Sequence, residues 1–333
     1  MKKLYSLLLV LALALVLAAC GGSDDSDTGN GSEDADDTNS EETSEESGEE
    51  TGEETSEESS EGIPDTLVIG FVPSQDSDTI ADTVEPLADR LGEELGIEVQ
   101  GQVMTNYNAL VEAMGANQVQ VGFIPAFGYV LANEQYDVEV ILKSIRYGSG
   151  TYKAQYVVRS DSGIESLADL EGTVWAYGDQ GSTSGYLFPA SQLMEEFGYD
   201  TAAELESNFF SGTVQTGGHD NSAIAVLEGD ADVATTFDDV RTELEEEYPT
   251  VMEELSILGY TDEIPNDTIS VTKELPDEFV QEIKDVFLSF NEDEEMIQIM
   301  NDVYNWDEID EASDEEYQVV KDTYAKFKDN IEL

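Results

Sequence analysis

From Thr66 onward the apolar positions alternate between two rhythms. Leu67-Val68-Ile69-Gly70-Phe71 is a short, nearly unbroken apolar run bounded by polar residues, the pattern of a buried strand. Asp78 to Leu95 carries Leu87, Leu91 and Leu95 at helical spacing, with Gly96 as its stop. Ile97 to Val103 is the next strand, Asn106 to Ala116 the next helix and Val119 to Ile124 a third strand. This is the βαβ alternation of a parallel sheet covered on both faces. The rhythm then restarts, with strands at Thr173 to Tyr177, Asn208 to Ser211 and Ala231 to Thr236. Between them lie helices at Ser184 to Phe197 and around Ser222 to Glu228. Two such units predict two α/β lobes, residues 63–148 and 149–269, with crossovers at Ser144 to Val158 and Ile264 to Val271. From Leu275 the pattern is largely helical, with Phe279, Ile283, Val286 and Phe287 on one face and a second face in Tyr317 to Phe327. Residues 270–333 are expected to pack on the first lobe.

The N-terminus is organised differently. Lys2 and Lys3 precede an apolar run from Leu7 to Leu17, followed by Ala18-Ala19-Cys20-Gly21. This is the layout of a secretory signal peptide, and the run is shorter than the roughly 20 apolar residues of a bilayer-spanning helix. Leu17-Ala18-Ala19-Cys20 resembles the bacterial lipobox, which makes Cys20 the expected lipidation site; the plainer reading is an ordinary cleaved signal. Cys20 is the only cysteine, so neither a disulfide nor a thiolate metal cluster is available. Residues 21–62 hold 18 acidic residues and no Lys or Arg. With almost nothing apolar to bury, such a segment is expected to be a disordered acidic linker, and a partner-binding acidic tail is the sharper alternative.

Charge narrows the partners further. Beyond the linker 58 acidic residues face 11 basic ones, a formal charge of −47. Nucleic acid, which requires basic stripes, is excluded as a natural partner. Such a surface suits high salt, where at about 1 M the Debye length falls to about 3 Å and self-repulsion is screened. A halophilic source is expected.

Gly181-Ser182-Thr183-Ser184-Gly185-Tyr186 follows a strand and opens a helix. It gathers hydroxyls and unpaired backbone N–H groups at the positive end of a helix dipole, a place for an oxyanion; on pattern alone it is equally a helix cap. His219, the only histidine, sits in Gly217-Gly218-His219-Asp220 at the start of another helix, and is open to a structural or an anion-contacting role. Asp239 and Asp267 alone read as solvated acids, and Tyr107 and Tyr152 as ordinary aromatics.

Read together, these residues resemble the phosphate/phosphite/phosphonate-binding proteins of ABC importers, from Thr66 to about Glu278. The resemblance is carried by Ile69-Gly70-Phe71-Val72-Pro73, Thr105-Asn106-Tyr107-Asn108-Ala109-Leu110 and Ser166-Leu167-Ala168-Asp169-Leu170-Glu171-Gly172. It is carried also by Gly178 to Tyr186, His219-Asp220 and Ile264-Pro265-Asn266-Asp267. It implies an α/β, two-lobed type II periplasmic-binding-protein fold with two crossover hinge strands. It also implies an anion held by Ser182, Thr183, Ser184 and His219, with Tyr107 and Tyr152 closing over it. Asp239 and Asp267 would then face a ligand amine or accept a proton from a protonated oxyanion. Three departures stand out: Thr213-Val214-Gln215-Thr216-Gly217 reads as an insertion, Asp239 is a shorter acid, and Phe123-Ile124-Pro125-Ala126 replaces an aromatic-Gly-Pro stretch.

The expected protein is therefore an exported, lipid-anchored, monomeric binding protein on the outer face of the cytoplasmic membrane. It would capture a small phosphorus oxyanion by lobe closure and deliver it to a permease driven by a separate ATPase. The chain itself lacks G-x-x-x-x-G-K-[ST]. No cofactor, metal or enzymatic activity is expected. Phosphate, phosphite, methylphosphonate and 2-aminoethylphosphonate all suit a hydroxyl-lined helix start. A ligand-sensing lipoprotein is one alternative. A serine hydrolase is another, although Thr183 stands where the G-x-S-x-G elbow needs its serine. The charge count makes one prediction: unfolding midpoints in urea should rise from low to molar salt, and a flat series would remove the salt-adaptation reading.

Overall fold

The computed structural model describes residues 62–75 and 77–327. The signal segment with Cys20, and the acidic linker apart from Gly62, lie outside the described residues. The first apolar run is β1 (Thr66–Phe71), mostly buried. It is followed by α1 (Ser77–Leu95), which stops at Gly96 with φ +69°, and by β2 (Glu98–Val103). Next come α2 (Tyr107–Gly115), capped by the Asn106 side chain accepting from Ala109 N, and β3 (Val121–Ile124). α3 (Ala126–Tyr136) and β4 (Glu139–Ile145) complete this stretch. The chain then enters a second sheet through β5 (Thr151–Arg159), β6 (Val174–Tyr177), α4 (Phe188–Phe197), α5 (Ala202–Glu204) and β7 (Gly212–Gln215). α6 (His219–Glu228), β8 (Val233–Phe237), α7 (Val240–Leu244), α8 (Val251–Glu254) and β9 (Leu255–Pro265) follow. It returns to the first sheet as β10 (Thr268–Val271), and ends with α9 (Asp277–Ser289), α10 (Glu294–Tyr304), β11 (Glu308–Glu311) and α11 (Gln318–Ala325).

The six-stranded sheet has the order β11-β4-β10-β3-β1-β2, and the five-stranded sheet β7-β6-β8-β5-β9. β1 is parallel to β2 and β3, whereas β10 runs antiparallel between β3 and β4. β6 is parallel to β7 and β8, and β5 is antiparallel to β8 and β9. The fully buried strands β3, β8 and β10 are central, with neighbours on both sides. β2, which alternates exposed and half-buried positions, forms an edge. α1 packs on β2 and against α9 and α10, so the C-terminal helices cover the first sheet.

Several elements differ from expectation, each for a packing reason. α3 has no polar face over Ala126 to Ala132, because all seven residues are buried, so it carries no helical period to read. The segment Asn208 to Ser211 is not a strand. Phe209 and Phe210 end a π-turn, stacked on Phe197 (4.7 Å) and Trp175 (5.0 Å), and the strand starts only at Gly212. The residues read as an insertion before His219 are therefore largely β7. β11 is an acidic edge strand, Glu-Ile-Asp-Glu, held beside β4 with Lys143 between Asp310 and Glu316. Most of Ser144 to Val158 belongs to β4 and β5, which shortens the first crossover to a tight turn.

That turn is Arg146-Tyr147-Gly148-Ser149, with Arg146 and Ser149 exchanging backbone hydrogen bonds and positive φ at Tyr147 and Gly148. The return crossover, Asn266-Asp267, lies against it. Asn266 Nδ2 donates to Ser144 O (2.9 Å) and Ser149 O (2.7 Å), Asn266 N to Gly150 O, and Ser144 N to Asp267 O. Tyr317 Oη donates to Asn266 O at 3.3 Å. Asn266 is fully buried, so this one amide ties both connections between the sheets. Asn266→Ala would remove both donations, leaving Ser144 O without its side-chain donor and Ser149 O with Arg146 N alone, at a cost of about 1–3 kcal/mol for each buried bond lost. Urea unfolding at fixed salt should show a loss of about 2–4 kcal/mol, and a change below about 0.5 kcal/mol would mean the crossovers are held otherwise.

Candidate functional site

A cavity of about 30 Å³ lies where strand ends and loops of the two sheets face each other beside the crossovers. That is far below the roughly 300–1,000 Å³ of sites for larger ligands, so it suits a ligand of a few heavy atoms. The first lobe contributes Val72, Ser74 and Gln75 from the loop after β1, Tyr107, Phe123, Pro125 and Tyr304; the second contributes Ser182, Ser184, His219 and Phe237. The crossover regions supply Arg146, Tyr152 and Asp267.

The serine-rich segment opens a helix by way of a π-turn. Thr183–Leu187 has i→i+5 bonding, with Leu187 N donating to Ser182 O, before α4 continues. Ser182 is the N-cap and its Oγ accepts from Gly185 N at 3.0 Å. That use leaves the Ser182 hydroxyl proton for another acceptor. The turn is braced from beneath. Trp175 Nε1 donates to Thr235 Oγ1 (2.8 Å), and Thr235 Oγ1 donates to Gly185 O (2.5 Å). Tyr186 stacks on Trp175 at 5.5 Å and belongs to the core. Insertion of an extra residue in a helix is a frequent mark of a functional site; here it turns Ser182 and Ser184 toward the cavity.

Of the residues singled out from sequence, Tyr107, Tyr152, Ser182, Ser184, His219 and Asp267 are brought together on the cavity wall. Ser182 faces the Tyr107 hydroxyl of the opposite lobe, and Ser184 faces the Tyr152 hydroxyl from β5 of its own sheet. Burial raises both phenol pKa values, only partly offset by these serine contacts, so both hydroxyls remain protonated donors. Thr183 and Asp239 do not line the cavity. Thr183 is fully buried and its Oγ1 accepts from Phe127 N at the start of α3 (2.9 Å), a contact between the lobes. Asp239 caps α7. It pairs with Arg241 at 2.7 Å and accepts from Gln155 Nε2 at 3.1 Å. Burial pushes its carboxyl up, but the Arg241 and Gln155 hydrogen bonds outweigh that and hold it below the usual range.

The lobes are in contact around the cavity. His219 N donates to Ser74 O (3.0 Å), so the first N–H of α6 is taken by the opposite lobe and not held for a ligand. Lys326, beyond α11, pairs with Glu195 on α4. Gly181 allows the closest approach, since a Cβ there would stand 2.8 Å from Tyr107 Cβ.

Arg146 is the functional candidate that reading the sequence missed. It is 6% exposed, and its guanidinium lies over the rings of Phe237 (5.1 Å) and Tyr152 (5.7 Å). Its Nη1 is 4.0 Å from Asp267 Oδ2, beyond hydrogen-bond reach, and its buried Nε has no partner. The available signal was rarity, since Arg146 is one of four arginines in the chain and precedes a Tyr-Gly turn. His219 is also buried (3% exposed), with Nδ1 unpartnered and Nε2 3.4 Å from Ser182 Oγ. Burial, with Arg146 beside it, pulls its pKa down to about 3, so the ring is neutral. Burial raises the Asp267 carboxyl, and Arg146 only partly opposes that. Among the described residues no cluster of three His, Cys, Asp or Glu is arranged to hold a metal ion.

Two α/β lobes, joined by two tied crossovers and closing on a small polar cavity, define a ligand-binding protein of the type II periplasmic fold. A family profile described as "ABC transporter, phosphonate, periplasmic substrate-binding protein" matches residues 69–317, and the chain belongs to that family. It is 28% identical over 182 residues to the phosphate-import protein PhnD of Mycolicibacterium smegmatis, covering 53% of this chain and 56% of that protein. It is 26% identical over 201 residues to the phosphonates-binding periplasmic protein of Escherichia coli, covering 58% and 57%. The match thus spans a little over half the length of these relatives. Among solved structures, it is similar in fold to a binding protein component of an ABC phosphonate transporter from Pseudomonas aeruginosa. There the TM-score is 0.70 and the identity 21%, over 78% of this chain and 85% of that one. It is similar also to PhnD1 of Prochlorococcus marinus in complex with methylphosphonate, with TM-score 0.69 and 20% identity over 80% and 99%.

The neutral histidine has a consequence for stability. In the unfolded chain His219 takes up a proton below about pH 6.5, whereas in the folded chain it does so only near 3. Between these values the unfolded state binds the extra proton, so His219 weakens the fold as pH falls through that window. His219→Gln should flatten the loss of stability between pH 6 and 4 by up to about 1.4 kcal/mol per pH unit. Parallel urea midpoints for both proteins across that range would instead mean that the histidine is already charged when folded.

Proposed function

We propose that this protein is the extracytoplasmic binding component of an ABC importer, and that it captures a small phosphorus oxyanion, a phosphonate, phosphite or phosphate, by closure of its two lobes. The observation that carries this is the cavity itself, where a buried guanidinium and a buried imidazole with unsatisfied nitrogens face the hydroxyl-rich start of a helix. A buried cation without a hydrogen-bond partner is costly, and a tetrahedral oxyanion supplies the missing acceptors. The Ser182 and Ser184 hydroxyls, the first backbone N–H groups of the π-turn at Thr183 and Ser184, and the two tyrosine hydroxyls are donors for the remaining oxygens. Family membership and the ligands named for the relatives support the same class.

Binding proceeds by docking on the second lobe, at Ser182, Ser184 and His219. The first lobe then brings Tyr107 and the loop after β1 over the ligand. The Phe127–Thr183 and Ser74–His219 contacts exist only when the lobes meet, so ligand binding and these contacts favour the closed form together. Thr183 is thus a closure contact and Asp239 a helix cap. The tied crossovers at Asn266 form the pivot. A closed binding protein is what a permease would recognise, with ATP hydrolysis supplied by another polypeptide. Residues 1–20 are proposed to export the chain, with Cys20 anchoring it by lipid and the acidic linker acting as tether. A hydrolase reading has little support, since Ser182 and His219 are 3.4 Å apart and Asp267, the acid that the described residues place on the cavity wall, lies beside Arg146.

Calorimetry at molar salt with phosphate, phosphite, methylphosphonate and sulfate should give saturable binding of at least one phosphorus anion. Ser184→Ala and His219→Ala should each weaken it by about 10- to 150-fold, the loss of one charge-assisted hydrogen bond. Parent-like affinity in both variants would remove these residues from the site. Palmitate labelling of the expressed chain, absent in Cys20→Ser, is the expected result for the anchor; equal labelling of both would place no lipid on Cys20.

A further inference from the structure

Among the described residues, Arg146 and Asp267 are the two charged side chains on the cavity wall, since His219 is neutral there. They come from the two crossovers and are held 4.0 Å apart because Asn266 ties those crossovers together. Asp267 is thus already answered by a cation. Asp238 and Glu243 also feel the guanidinium but do not line the cavity, and Asp239 is bound to Arg241. Among the described residues no other carboxylate on the wall is left for a second positive charge.

We infer that Arg146 is a specificity-determining residue that restricts this site to oxyanions carrying no ammonium group. The inference rests on the phosphorus-oxyanion reading above. The guanidinium is fixed rather than adaptable. Its stem is buried, its guanidinium carbon lies over both the Phe237 and Tyr152 rings, and no hydrogen bond from the chain occupies its Nε. It is therefore preorganised for an oxygen acceptor and cannot swing away from a cation. In a cavity of about 30 Å³ any ammonium attached to a bound phosphonate stands within a few ångströms of it. Like charges at such separations inside a protein discriminate by about 100-fold or more. The acidity of the outer surface does not rescue the cation, since in salt those charges are screened while the guanidinium is in contact. The apolar part of the wall, Val72, Phe123, Pro125 and Phe237, offers an uncharged substituent a place that an ammonium lacks.

The test compares two ligands of nearly equal size, ethylphosphonate and aminomethylphosphonate, with methylphosphonate as reference, by calorimetry on the full chain in detergent at molar salt. The parent should bind ethylphosphonate at least about 100-fold more tightly than aminomethylphosphonate. Arg146→Met should narrow that ratio at least 10-fold while weakening methylphosphonate, and Arg146→Lys, which keeps the charge, should retain the preference. Equal affinity of the parent for the two ligands overturns the inference while leaving the oxyanion reading intact. So does rejection of both with methylphosphonate bound, because size would then be the filter. An unchanged ratio in a folded Arg146→Met also overturns it. If the Met variant does not fold, the parent ratio and the Lys variant decide. A parent that binds none of the three sinks the oxyanion reading, and this inference with it.

Discussion

The Asn266 side chain is the constraint on which the rest of the structure depends. Two sheets that share no strand are joined by only two peptide connections, and a buried amide donates to the backbone of both sides of the other crossover. A buried donor pair of this kind has no substitute in water, so the crossovers move as one unit. Arg146 and Asp267 flank that unit, which puts the charged floor of the cavity at the pivot, where displacement on closure is smallest. The walls come from either side. The first lobe brings Tyr107 and the backbone of Ser74, and the second brings the serine-rich π-turn and His219.

For so acidic a chain to hold an anion, as proposed, the attraction would have to be local. Backbone N–H groups, hydroxyls and a neutral histidine supply directional donors, and Arg146 adds a single positive charge where water is excluded. The described lysines and arginines at the surface are mostly paired with carboxylates, as in Lys143 with Glu316, Lys284 with Glu311 and Lys321 with Asp314. They steer nothing toward the cleft. One arginine, buried with its guanidinium over two aromatic rings, outweighs the net charge locally because Coulomb energy falls with distance and dielectric whereas net charge does not act at a point.

Residues identified by motif divide according to what surrounds them. Ser182 and Ser184 line the cavity while Thr183, between them, accepts a hydrogen bond from Phe127 N of the other lobe. Asp239 lies far from the role suggested by resemblance because Arg241, two residues on, takes its carboxylate. Nothing in the order of residues distinguishes an acid that caps a helix from one that faces a ligand. Arg146 was passed over for the converse reason, as a charged residue in a polar connection with no periodicity to mark it.

The elements legible in sequence are those in which local pattern and burial coincide. β1, α1, α2, β6 and the start of α4 carry their period openly, and the two βαβ rhythms already implied two lobes. The glycine- and hydroxyl-rich opening of α4, the single histidine at a helix start and the net charge were equally plain. α3 and β11 were not, since one is buried all round and the other is an acidic edge that pairs only because β4 lies beside it. Sequence alone therefore determined the fold class, the donors at the helix start and the charge against which they must act. The tertiary structure decided which of those donors meet, that Thr183 bonds to the opposite lobe, and that Arg146 stands beside Asp267. Those are distances between residues far apart in the chain, and they are fixed by packing and by one buried amide, not by any local preference.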